Sequence, residues 1–119
     1  MVNARHFMSN ARYRRECVQT WPAADRPLVA QLAGDDEASL VPCALAFARL
    51  GVDGVDLNLG CPQAIARKGH YGAFLLPETA RVSRLVGALA RALAPLGVAA
   101  TAKVRLLESR EATIATARA

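Results

Sequence analysis

The residues with the most chemistry in the shortest span are Asp56-Leu57-Asn58-Leu59-Gly60-Cys61-Pro62, followed closely by Gly69-His70-Tyr71-Gly72-Ala73. Val55, Leu57 and Leu59 alternate with Asp56 and Asn58, the pattern of a strand with one apolar and one polar face. Cys61 falls just past the carboxyl end of that strand, between Gly60 and Pro62, and so sits on a constrained turn. A thiol held in that way can serve as a nucleophile or a proton donor. The alternative is a small buried hydrophobe, which is how Cys43 reads within its helical pattern.

Alternating strands and helices must position these groups. Leu28 to Leu32 is a short apolar run followed by Gly34 and reads as a strand; Asp35, Asp36 and Glu37 then bring negative charge to a helix start. That helix runs to about Leu50, with Leu40, Cys43, Ala44 and Phe47 on its buried stripe and Gly51 as terminator. The second strand, Val55 to Leu59, leads into a long loop from Gly60 to Leu76. Pro77 suits the first position of the next helix, which carries Val82, Leu85, Val86, Leu89 and Leu93 at three- and four-residue spacing. Arg81, Arg84 and Arg91 share another face of it, read as solvated. Gly97 ends the helix, Ala99 to Leu106 is a third strand, and a further helix begins at Ser109.

Strand parity selects among α/β architectures. Leu28, Ala30 and Leu32, then Val55, Leu57 and Leu59, then Ala102, Val104 and Leu106 form apolar faces suited to packing on helices. The opposite parity carries Gln31, then Asp56 and Asn58, then Thr101, Lys103 and Arg105. An open doubly wound sheet is apolar on both faces. A barrel gathers polar side chains on its inner face toward the strands' carboxyl ends. The pattern therefore predicts an α/β chain forming part of a (β/α)8 TIM barrel, with about three parallel strands.

Composition sets outer bounds. The 119 residues are 53% hydrophobic and 21% charged, which excludes a disordered segment. The length also excludes two full domains. Apolar stretches such as Leu93 to Ala102 are interrupted by Pro95 and Gly97, too short for a membrane span of roughly 20 residues. Fifteen Lys and Arg against ten Asp and Glu give a net charge of +5, and thirteen of the cations are arginine. Arginine's planar fork suits phosphate, although a compositional bias toward arginine and alanine produces the same count. Cys17, Cys43 and Cys61 form no CxxC pair, which argues against a zinc site or a disulfide framework and for a reducing compartment. Residues 1–24 hold Arg5, Arg12, Arg14 and Arg15 against the acid Glu16, a balance also found in organelle transit peptides.

The central stretch resembles the tRNA-dihydrouridine synthase family. Asn58-Leu59-Gly60-Cys61-Pro62 with downstream Gly72-Ala73 follows the family pattern from Val55 to Leu75. Pro27 to Leu32 is similar to the family's preceding strand, and Lys103-Val104-Arg105 to the following one. Gln63-Ala64-Ile65-Ala66 and Gly69 to Leu75 most resemble the eukaryotic clade acting on the tRNA D-loop, as do Met1 to Phe7, which match that clade just after its second strand. This likeness displaces the transit-peptide reading.

The resemblance implies an FMN-dependent TIM-barrel reductase with NADPH as reductant and a D-loop uridine of tRNA as substrate. It implies a catalytic Cys61 that protonates C5 of uracil, cofactor contacts from Gln31 and Lys103, and substrate contacts from Asn58 and Arg105. No metal is implied, and the setting is cytoplasmic or nuclear. Each residue also has a purely structural alternative, such as a solvated strand-end cation for Lys103 and Arg105. His70 either contacts RNA or occupies a glycine-flanked turn. Arg12, Tyr13, Arg14 and Arg15 either track phosphates or form a solvated loop. Two other functions fit less of the pattern: another FMN barrel oxidoreductase with a small substrate, or a non-catalytic RNA-binding remnant.

A complete barrel of this type has eight strands and about 250 residues. Residues 1–119 thus read as one partial FMN-binding barrel domain, without the second half of the barrel or the family's helical tRNA-binding domain. Three strands leave two open edges. We therefore expect that this polypeptide alone neither folds stably nor holds FMN tightly.

Overall fold

A computed structural model describes residues 1–18 and 24–118. Four parallel strands form one sheet: β1 (Val2–Asn3), β2 (Val29–Ala33), β3 (Gly54–Leu59) and β4 (Ala99–Val104), in the spatial order β1-β2-β3-β4. Helices α1 (Ala4–Ser9) and α2 (Ala11–Cys17) follow β1, α3 (Glu37–Arg49) follows β2, and α4 (Ala64–Lys68) and α5 (Thr79–Leu93) follow β3. Helix α6 (Arg110–Arg118) comes last. A strand order that never reverses is that of a singly wound barrel; a doubly wound sheet reverses at its switch point. No described helix is long and apolar enough to cross a membrane.

Local chemistry explains the elements. Asp36 caps α3, its carboxylate accepting from the Ser39 amide at 2.8 Å and from the Ser39 hydroxyl at 2.8 Å. The two strand faces then part company. Leu32, Val55, Leu57 and Leu59 are buried beneath Leu40, Cys43 and Phe47 of α3 and Val82, Leu85 and Leu89 of α5. Phe7 of α1 closes one end of this core, its ring 5.3 Å from that of Phe47. Gln31, Asp56, Asn58 and Thr101 occupy the other face and bond to one another rather than to helices.

Several expectations change in detail. Strand β1 adds a fourth strand, two residues long, which has too little periodicity to read from sequence. The stretch from Gly60 to Leu76 is not a continuous loop: it holds α4 and a 3-10 turn at Gly72–Phe74. Helix α5 begins at Thr79 with Glu78 as its cap, so Pro77 lies outside it. Strand β4 stops at Val104, short of Leu106, and its apolar parity is not buried: Val104 is 39% exposed and Leu106 87%. As an edge strand β4 packs on one neighbour only, and a groove of about 400 Å³ lies beside it, lined by Leu59, Val82, Val86, Ala102 and Val104. Arg12 to Arg15 belong to α2 rather than to a loop, and Tyr13 is half-buried there. Of the segment 1–24, residues 19–23 lie outside the described residues.

Candidate active site

Parallel pairing brings the polar row into line. In register, Gln31 of β2 lies beside Asp56 of β3 and Asp56 beside Thr101 of β4, while Asn58 lies beside Lys103. The Gln31 amide nitrogen donates to one Asp56 carboxylate oxygen at 2.8 Å, and the Thr101 hydroxyl donates to the other at 2.8 Å. Asp56 therefore fixes which way the Gln31 amide points. The Gln31 carbonyl in turn accepts from Asn58 Nδ2 at 3.0 Å.

Asn58 is the hinge between this row and the cysteine. It is 8% exposed, and its Oδ1 accepts from the backbone N–H of Gly60 at 3.0 Å and of Cys61 at 2.9 Å. An amide oxygen has two lone pairs, and both are used here. The turn that carries Cys61 is thus tied to the strand end by a side chain rather than by sheet pairing. On the far side the Cys61 carbonyl accepts from Ala73 N–H at 3.0 Å. That bond requires close approach: a Cβ on Gly72 would lie 2.6 Å from the Cys61 carbonyl oxygen, and Gly72 has φ +67°. Tyr71 is buried against Ala33 and Ala66, with Cys61 and Phe74 packed at the edge of that small cluster.

The five residues singled out in the sequence converge on the carboxyl end of β3. Gln31, Asn58 and Cys61 are joined through hydrogen bonds. Arg105 Nη1 donates to the Gly60 carbonyl in a long contact of 3.4 Å. Lys103 stands next to Asn58 in register and is exposed, its side chain making no hydrogen bond or ion pair among the described residues. Cys61 is half-buried and Cys43 fully buried, and burial pushes the Cys43 thiol up to about 12. Cys43 is a core residue, whereas Cys61 is half-buried at the edge of the Tyr71 cluster.

Sequence reasoning named Asp56, Arg81 and His70 but missed the partners of each. Asp56 was counted in the polar parity but not in the site, although it orients Gln31; its invisible partner was Thr101, 45 residues away. Arg81 is not on a solvated face: its guanidinium reaches Asp35 at 3.0 Å and Glu78 at 3.2 Å. His70 lies between Asp35 and Glu78, with φ +52°. Pairings of such separation leave no local trace in the sequence.

The donor set fits the edge of a flavin. The Gln31 amide keeps a second N–H, and Lys103 stands on the same sheet face two strands over and two residues further along, roughly 12 Å away by strand and residue spacing. An amide and a cation on one open polar face suit a flat, polar-edged ring that carries negative charge when reduced.

Comparison with known proteins places this arrangement. The dihydrouridine synthase (Dus) family model matches residues 1–119. The chain is 38% identical to the Saccharomyces cerevisiae protein named tRNA-dihydrouridine(16/17) synthase (NAD(P)(+)), over 96% of this chain and 26% of that protein. It is 39% identical to the Mus musculus protein named tRNA-dihydrouridine(16/17) synthase (NAD(P)(+))-like, over 96% of this chain and 23% of that protein. A Cupriavidus necator protein named tRNA-dihydrouridine(16) synthase is 40% identical over 67% of this chain and 24% of its own length. The chain spans about a quarter of the length of these relatives. With the family model matched from end to end and its cysteine turn tied to the strand below, the chain belongs to the dihydrouridine synthase family.

Proposed function

We propose that this chain is the thiol-bearing segment of an FMN-dependent oxidoreductase that reduces uridine in tRNA to 5,6-dihydrouridine. The observation that carries the reading is the position of Cys61. It is half-buried just past the carboxyl end of β3, the strand whose polar face carries Asn58, with its amide held by Asn58 and its carbonyl by Ala73. A thiol in that place can put its proton on C5 of a uracil presented to the same face. FMN, when bound, supplies the hydride that C6 receives. The C5–C6 double bond becomes single, and the Cys61 sulfur regains its proton from solvent.

Other residues of the chain fit supporting roles. Asn58 keeps one amide N–H beyond its bond to Gln31, which would serve the base. Gln31 and Lys103 would hold the cofactor ring edge, with the ammonium favouring its anionic reduced form. Arg105, extending past β4 beside Gly60, lies toward the nucleotide. A nicotinamide reductant, NADPH in this reading, is in keeping with NAD(P) in the relatives' names. A D-loop uridine is supported by the 16/17 positions in those names. The base must leave its stack to reach this face. Three free cysteines support a reducing setting such as the cytoplasm.

The test uses the full-length protein, a transcribed tRNA, and mass spectrometry to count the two added hydrogens. Cys61→Ala should retain the flavin spectrum and lose on the order of 10²–10⁴-fold in rate. Unchanged turnover in Cys61→Ala, or reduction of free uridine as fast as tRNA, would overturn the proposal. The 119-residue polypeptide alone should be colourless and melt without a cooperative transition, since β4 leaves its apolar parity uncovered.

A further inference from the structure

A second concentration of charge lies one layer outward from the cysteine turn. Asp35 follows β2 and has a side chain only 13% exposed. It accepts from Arg5 of α1 at 2.9 Å and from Arg81 of α5 at 3.0 Å, and His70 Nδ1, in the segment after α4, lies 3.4 Å away. The other His70 nitrogen, Nε2, lies 2.7 Å from Glu78, and Glu78 meets Arg81 at 3.2 Å. Asp35, His70, Glu78 and Arg81 therefore close into a ring. Arg81 also donates through Nε to the Asp35 carbonyl at 2.9 Å, which fixes the backbone as well as the carboxylate.

The ring is connected to the site by three residues. His70 has a left-handed backbone at φ +52°, and Tyr71 next to it is buried against Ala33 and Ala66. Gly72 then passes against the Cys61 carbonyl, and Ala73 bonds to it. Both imidazole nitrogens face carboxylate oxygens, Nδ1 that of Asp35 and Nε2 that of Glu78. Contacts at both nitrogens restrict the rotation of the imidazole. A side chain used in this way has no nitrogen left for RNA.

We propose that His70, clamped between Asp35 and Glu78, is a positioning residue that seats the Cys61 turn and makes no contact with RNA. The kinetic side of this assignment rests on the proposed uridine reduction; its thiol side does not.

The experiment is carried out on the full-length protein with His70→Asn, since asparagine tolerates the left-handed backbone yet cannot bridge two carboxylates. Alkylation of each cysteine by iodoacetamide is followed by mass spectrometry, alongside kcat and the KM for tRNA. We expect Cys61 to be alkylated several-fold faster while Cys43 stays protected. Turnover should fall on the order of 10- to 100-fold with KM unchanged, the behaviour of a displaced reacting group. If Cys43 also becomes reactive, the variant is unfolded, and Glu78→Gln, which removes one arm of the clamp at a more exposed residue, is judged by the same criteria. Unchanged Cys61 alkylation and kcat would overturn the proposal. A raised KM with unchanged kcat and alkylation would assign His70 to RNA and overturn it equally. Absence of dihydrouridine from the wild-type protein would instead refute the proposed function, leaving the clamp to be decided by alkylation.

Discussion

Substituting Gly72→Ala tests whether the cysteine turn is held by close packing or merely by its hydrogen bonds. Two glycines with nearly the same backbone provide the comparison: Gly72 at φ +67° and Gly97 at φ +66°. A Cβ at either costs about 1–2 kcal/mol for the left-handed conformation. At Gly97 nothing lies within 4 Å of the added carbon, so that penalty is the whole effect. At Gly72 the carbon would stand 2.6 Å from the Cys61 carbonyl oxygen and 3.0 Å from the Cys61 Cβ. Ordinary carbon–oxygen contacts begin near ~3.3 Å, so the two segments must separate by about 0.7 Å. That movement stretches the 3.0 Å bond from Ala73 N–H to the Cys61 carbonyl beyond useful length. The lost bond costs about 1 kcal/mol, and the forced backbone shift a further ~1–3 kcal/mol. Gly72→Ala should therefore destabilise the full-length protein by about 3–6 kcal/mol in urea unfolding, against ~1–2 for Gly97→Ala. Displacement of Cys61 should also lower dihydrouridine formation on the order of 10- to 100-fold, with Gly97→Ala near wild type. Equal stability losses at the two positions, or wild-type turnover in Gly72→Ala, would refute the reasoning.

Three further outcomes follow from the same geometry. Asn58→Ala removes an acceptor from two backbone amides and a donor from Gln31, and should cost about 2 kcal/mol in chemical denaturation; a loss below about 0.5 kcal/mol would show that water replaces the side chain. Because burial holds the Cys43 thiol near 12, native alkylation in mild alkali should label Cys61 and spare Cys43, and labelling of both at one rate would count against the described core. Burial alone would raise the Asp36 carboxyl, but the bonds from Ser39 and Arg5 outweigh it and leave the group below its ordinary 3.8. A depressed folded-state value means stabilisation that is full above that ordinary value and is lost as pH falls through the lower, folded one. Asp36→Ala should accordingly cost about 1 kcal/mol at neutral pH, and a pH series of melts should show wild type and variant converging in acid. A constant gap down to low pH would contradict this.

Much of the site was legible because it is local in sequence. Asn58, Gly60 and Cys61 fall within four positions, and strand alternation alone puts Asn58 on the polar face. Gln31 and Lys103 were reachable through the same parity, since parallel strands in register align like faces. Strand β1 escaped because two residues carry no period, and its assignment depends on pairing with Leu32 and Ala33. Helix α4 escaped because five residues among glycines and a proline look like loop. The apolar parity of β4 reads as a packing surface, yet the structure leaves it exposed, because β4 is an edge strand with one neighbour. The ring around His70 was illegible for a different reason. Its members are spaced by up to 46 positions and come from loops and a helix end, where charge is ordinarily solvated. Arg81 shows the consequence: its helical periodicity marks it as polar, while its partner Asp35 is set by the fold.

The tethering of the cysteine turn has a consequence for entropy. Cys61 has its amide engaged by Asn58, its carbonyl engaged by Ala73, and a proline after it. With the backbone fixed at both ends, the sulfur retains a single torsion with three staggered wells. Selecting one well out of three costs at most RT ln 3, about 0.65 kcal/mol at room temperature. A thiol on an untethered loop would first have to immobilise several residues at about 1–2 kcal/mol each. The search for the reacting geometry is thus almost finished when the chain has folded.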